Sequence, residues 1–128
     1  MEVSSEQLGV KEGKLAPCPD KPNCVSSQST DEKHGMKPIP YNGTAEEALT
    51  KIKTILTNRK RTEIVEADTH YIRAEEKSKL FKFVDDIEFY IDTASENIHF
   101  RSASRTGYSD MGVNKKRMNE IREAFQNA

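Results

Sequence analysis

The stretch FKFVDDIEFYID, residues 81–92, decides the fold. Phe81, Phe83, Ile87, Phe89 and Ile91 all stand at odd positions, a period of two that belongs to a β-strand with one apolar face. The period has one fault, because Asp85 stands between Phe83 and Ile87. An ionised carboxylate on an apolar face is strongly unfavourable unless it is paired or hydrogen-bonded. Two readings are open: Asp85 is paired on that face, or a bulge at Asp85-Asp86 turns both carboxylates outward.

Downstream, TASEN (93–97) reads as a turn, and NIHFRSAS (97–104) answers with Ile98 and Phe100 on one face. In either short register of that hairpin, Ile87 and Phe89 face the side of Ser102 and Ser104. Asp86, Glu88 and Tyr90 then share the opposite face with His99, Arg101 and Arg105. Opposite charges across strands contribute roughly 0.2–1 kcal/mol each. For Glu88 and Arg101 a solvated ionic ladder is expected, whereas Arg105 lies nearer the end of the pattern.

Upstream, RTEIVEA (61–67) and HYIRAEE (70–76) flank Asp68-Thr69 as a tight hairpin, neither with a clean apolar face, and a turn follows around Lys77-Ser78-Lys79. Before them, Thr44 and Glu47 form a capping box. Ala45, Ala48, Leu49, Ile52, Ile55 and Leu56 continue as a helical stripe ending near Asn58. At the other end, Asn114 is expected to cap a final helix, with Val113 and Met118 as a hydrophobic staple and Met118, Ile121 and Phe125 as its buried stripe. The expected class is α+β: a four-stranded antiparallel meander with two helices on one face, in the order arm-α-β-β-β-β-α.

The arm is residues 14–43, irregular and holding all five prolines, preceded by a flexible tail at 1–13. Residues 14–128 are expected to form a single domain. Net charge is −1, which gives no global pull toward nucleic acid or an anionic membrane, and no aromatic platform interleaves with the basic residues. No run approaches the ~20 apolar residues of a membrane helix, and the N-terminus lacks the pattern of a secretory signal, so a cytoplasmic setting is expected. Cys18 and Cys24 are too few for a disulfide scaffold, their spacing is not a standard zinc spacing, and a stable disulfide is disfavoured in the cytosol. No metal or cofactor is expected.

The densest group of chemistry-bearing residues is RSASRTGYSDMGVNKKR, 101–117. Lys115, Lys116 and Arg117 stand in the first turn of the last helix, where the dipole disfavours cations and favours an anion. With Arg105, Ser104, Ser109, Asp110 and Asn114 just upstream, and Asp86 across the strand pair, this junction is the candidate ligand-binding site. Cys24 and Asp85 are the catalytic candidates, as thiol nucleophile or general base. His34, His70 and His99 are the only imidazoles, and no motif places them.

APCPDKPNCVSSQ (16–28), LFKFVDDIEFYID (80–92) and RSASRTGYSDMGVNKKRMNEIR (101–122) resemble, in order, the bacterial and plastid family called domain of unknown function 1499. The resemblance covers about Leu15 to Arg122. It rests on Cys18, Pro19, Pro22, Asn23, Cys24, Val25 and Ser26 in the arm, and on Phe83 to Asp86 in the strand. In the last motif it rests on Arg101, Ser102, Ser104, Arg105, Gly107, Asp110, Gly112, Asn114 and Arg117. It implies no activity, ligand or cofactor. Three functions therefore compete. One is a binding module for a small anionic ligand or partner group at the strand–helix junction. The second is a cysteine- or carboxylate-dependent hydrolase or transferase. The third is a structural polar cluster that locks the arm to the sheet.

Overall fold

The computed structural model describes residues 8–79, 83–107 and 109–128. In chain order its elements are β1 (Cys24–Ser26), β2 (Ile39–Pro40), α1 (Ala45–Thr57), β3 (Thr62–Ala67), β4 (Tyr71–Lys77), β5 (Val84–Asp92), β6 (Asn97–Ser104) and α2 (Val113–Gln126). The class is α+β with an antiparallel sheet, and β3 to β6 form the expected meander. The sheet has six strands, not four. Its order is β1-β6-β5-β4-β3, and β2 also pairs with β6. The two additional strands come from the arm. They cover the edge of β6, which would otherwise present unpaired N–H and C=O groups. At three and two residues they are too short to show a period, and β2 holds Pro40 and follows Pro38.

β5 runs unbroken from Val84 to Asp92, paired residue for residue with β4 and β6. There is no bulge at Asp85-Asp86, so the two side chains take opposite faces. Ile87, Phe89 and Ile91 join Ile98 and Phe100 in the core, against Ala48, Leu49, Ile52 and Leu56 of α1 and Met118, Ile121 and Phe125 of α2. Burying a side chain of this size stabilises the fold by roughly 1.5–3 kcal/mol. Phe83, expected on the same face, lies just before β5 and is 57% exposed. Leu80, Phe81, Lys82 and Tyr108 lie outside the described residues, as do residues 1–7 of the expected tail.

α1 begins as its sequence indicates. The Thr44 hydroxyl accepts from Glu47 N–H, and Glu47 Oε1 accepts from Thr44 N–H. α2 begins differently. Val113 is its first residue and is exposed, so it forms no staple over the helix entry. Gly112 holds the N-cap position with φ +82, a conformation open to a residue without Cβ. Asn114 is fully buried and its side chain is no cap. The Asp110 carboxylate does the capping, accepting N–H groups from Gly112 at 2.8 Å and Asn114 at 3.2 Å. A buried carboxamide with partners in the sheet has more to bond there than at the exposed helix tip.

Residues 9–17 lie across the sheet face opposite the helices. Gly9 N–H donates to Glu88 Oε2, and the Gln28 carboxamide bonds both Gly13 C=O and Leu15 N–H, as a neighbouring strand would.

Candidate functional site

The antiparallel register lines up Thr62, Glu76, Asp85 and Ser104 as one row across β3, β4, β5 and β6, on the face that carries the helices. Arg117 of α2 reaches down to this row. Its Nη2 donates to Asp85 Oδ2 at 2.6 Å and its Nε to Glu76 Oε2 at 2.9 Å. Nη1 donates to Asn114 Oδ1 and to Ser102 Oγ at 2.6 and 3.0 Å. Asn114 extends the network with its amide nitrogen, donating to Asp110 Oδ2, Ser104 Oγ and Asn23 C=O. Asn23 in turn donates from Nδ2 to Gly107 C=O. The cluster therefore joins α2, three meander strands, the β6–α2 connection and the arm.

Its carboxylates respond in opposite directions. Burial raises the Asp85 carboxyl above its ordinary value, with the Arg117 charge and hydrogen bond opposing. Burial works against Glu76 as well, but Arg117 and Arg59 together outweigh it and hold Glu76 below the usual range. Arg59 donates to Glu76 Oε1 at 3.0 Å.

On the other face, Asp86 stands in the row Glu75, Asp86, Ala103, Cys24. Arg105 clamps Asp86 with two bonds, Nε to Oδ2 at 2.8 Å and Nη2 to Oδ1 at 3.0 Å, and Nη2 also reaches Glu75 Oε2 at 2.6 Å. The hydrogen bonds to Asp86 push the guanidinium further into its charged form. Of the candidate ligand residues, Ser104, Asp110, Asn114 and Arg117 thus share one cluster, while Arg105 and Asp86 form a second across the sheet. Ser109 is exposed and accepts Met111 N–H at 3.2 Å.

Cys24 is bonded to Cys18, with 5.6 Å between their Cα atoms. The disulfide that a cytosolic setting would disfavour is present, and the nucleophile reading has no thiolate to use in this state. β1 pairing sets Cys24 beside Ala103 on the arm-covered face, within reach of the loop that carries Cys18. Among the described residues no group of His, Cys, Asp and Glu side chains could hold a metal ion. No helix among them is long and apolar enough to cross a membrane.

Sequence reasoning missed two features. Glu75-Glu76 is an acidic pair opposite Asp85-Asp86, each member facing the arginine of its own side. The signal was there in the doubled acids of neighbouring strands. The second is Glu88 with Arg101, which form no solvated ladder: they are 0% and 1% exposed, beneath residues 9–17. Tyr71 Oη and Gly9 N–H donate to Glu88 Oε2 at 2.6 and 2.7 Å. Glu88 Oε1 stands 3.9 Å from Arg101 Nη1, and among the described residues those two atoms and Arg101 Nε have no hydrogen-bond partner. Burial raises the Glu88 carboxyl and lowers the Arg101 guanidinium relative to their ordinary values. No local pattern reveals this, because the cover comes from the arm.

The arm, strand and junction motifs thus meet at one sheet end. A family model described as "Protein of unknown function (DUF1499)" matches residues 14–125. The chain belongs to this family. No curated protein matches the chain. The matched span begins at the arm and runs into the last turn of α2, so DUF1499 takes in both arginine clusters and the disulfide.

Proposed function

We propose that this DUF1499 domain is a binding module for an anionic group on a partner, received at the end where β6 passes into α2. One observation supports it above others: the junction arginines are closed on carboxylates, while the first turn of α2 carries Lys115 and Lys116 exposed and holds no acidic residue. Arg105 and Arg117 then serve as frame, not as ligands. Lys115 and Ser109 line a cleft of about 180 Å³, with Asp110, Gly112 and Cys24 among its other walls. An anionic group there would meet an ammonium that no buried carboxylate has already taken up.

The purely structural reading keeps part of its force, since the Asn114–Arg117 network accounts for most of the junction motif. The hydrolase or transferase reading has the least support. Cys24 is in a disulfide, and Asp85 accepts a bond from Arg117 instead of facing a substrate. The cytoplasmic setting is the part of this reading with least backing, because a disulfide persists more readily in oxidising surroundings.

Thermal unfolding in a phosphate or sulfate series tests the proposal. Protection is expected for the wild type and for Arg105→Lys, and is expected to vanish in Lys115→Ala. Protection retained by Lys115→Ala and lost in Arg105→Lys would return the arginines to the role of ligands.

A further inference from the structure

The same sheet end carries a polarity that whole-chain composition conceals. Just beyond the row Thr62, Glu76, Asp85 and Ser104 lie Arg61, Lys77 and Phe83, and α2 starts above them because Arg117 is anchored on Asp85 and Glu76. Val113, four residues before Arg117, lies about one turn, roughly 5–6 Å, farther out on the same side of the helix. Phe83, Val113 and Met111 are 57%, 47% and 89% exposed.

Met111 is held in a left-handed conformation, φ +57, with its N–H on Ser109 Oγ and the following Gly112 N–H on Asp110. That conformation is unfavourable for a residue with a Cβ, and local bonds fix it here. The result is an apolar side chain raised at the apex of a stiff turn. Arg61, Lys77, Lys79, Lys115 and Lys116 are exposed at this end. Of the acids at this end, Glu75, Glu76, Asp85 and Asp86 are paired with arginines, Asp110 is taken up in capping α2, and Glu63 stands beside Arg61, Lys77 and Lys79, so the cations outnumber the uncommitted acids. A net charge of −1 thus coexists with a local basic surface around protruding apolar groups.

Lysines beside raised apolar side chains match an interface that is anionic at its surface and apolar beneath. A convex apex favours a partner that deforms around it over a rigid protein, which would need a preformed pocket of the same shape. We propose that this end of the domain docks on a phospholipid bilayer bearing anionic headgroups, with Met111, Val113 and Phe83 entering the interface and Lys115 and Lys116 meeting headgroup phosphates. The proposal rests on the reading of the junction as a site for an anionic partner group, and names that partner.

Co-sedimentation of the whole chain with phosphatidylcholine vesicles, with and without phosphatidylglycerol, tests it. The protein is expected to pellet with the anionic vesicles at low salt and to be released at high salt. Lys115→Gln and Lys116→Gln are each expected to weaken binding about fivefold, and Met111→Ser to weaken it at unchanged salt sensitivity. All three positions are exposed, and thermal scans of the variants should overlay the wild type. Absence of pelleting with anionic vesicles overturns the proposal, as does equal pelleting of wild type and variants. Self-association that Met111→Ser abolishes, without vesicle binding, overturns it in favour of a second copy of the chain. Phosphate protection that survives when vesicle binding fails removes only this inference; loss of both removes the reading beneath it.

Discussion

Two buried ionic clusters lie on opposite faces of β5, and they differ in completeness, not in depth. Beneath α2, every guanidinium nitrogen of Arg117 has an acceptor, supplied by Asp85, Glu76, Asn114 and Ser102. Beneath residues 9–17, Arg101 makes, among the described residues, one long bond, from Nη2 to Pro17 C=O at 3.4 Å, and faces Glu88 across 3.9 Å. Removing charges from water is unfavourable in both places. Only a full set of directed bonds offsets it. Burial of an ion pair therefore says little about its worth until the remaining lone pairs and protons are accounted for.

The largest expected effect breaks the complete cluster. Arg117→Ala leaves Asp85 and Glu76 without their shared cation and should cost about 3–5 kcal/mol in urea unfolding. A loss below 1 kcal/mol would show that the network holds nothing. Next, apolar replacement should separate the two faces. Glu88→Leu with Arg101→Met is expected to cost less than the same exchange on the other face, because it removes an ion pair that is not hydrogen-bonded and leaves two donors, Tyr71 Oη and Gly9 N–H, without their acceptor. Asp85→Leu with Arg117→Met should destabilise, because Glu76, Asn114 and Ser102 lose a donor. Equal losses in the two double variants would erase the distinction drawn between the faces.

Reduction of Cys18–Cys24 comes third. Closing so short a loop contributes about 2 kcal/mol in the chain-entropy picture. Amide exchange should quicken first in residues 9–17, over the incomplete cluster, and an even rise across the sheet would argue against a local clasp. The smallest effect is in pH dependence, and its sign differs between Glu76 and Glu88. Glu76 is held below the ordinary glutamate value, so its contribution is complete above that value and fades as pH falls through the depressed one. Glu88 is raised, so its charged form is a burden at neutral pH that is relieved as pH falls through the raised value. Unfolding midpoints between neutral and acid pH should therefore decline less in Glu76→Gln than in the wild type, and more in Glu88→Gln.

Local periods were legible in the sequence. The alternation from Ile87 to Ile91 and the Thr44–Glu47 box each lie within a single element, and both emerge where expected. The β5–β6 register followed from a short turn, so the faces of Ser102, Ser104, Arg101 and Arg105 followed too. What escaped depends on distant segments. β1 and β2 owe their strand character to the edge of β6, not to their own residues. Arg101 and Glu88 became interior only because residues 9–17 cross them. Asn114 resembled a cap in sequence because its competing partners, Ser104 and Asn23 C=O, come from other elements.

Asp85-Asp86 gives the strand a means of error detection. Arg117 tests the residue on one face and Arg105 the residue on the other, and the pleat makes two consecutive aspartates the minimal answer to both. If β5 slips forward by one residue, Asp86 can satisfy Arg117 but Ile87 confronts Arg105. If it slips back, Asp85 can satisfy Arg105 but Val84 confronts Arg117. Either misalignment leaves one arginine unanswered and also turns the isoleucines and phenylalanine of β5 out of the core. The dipeptide thus works as a parity check on the central strand, read out at the end of the sheet where α2 and the arm are fastened.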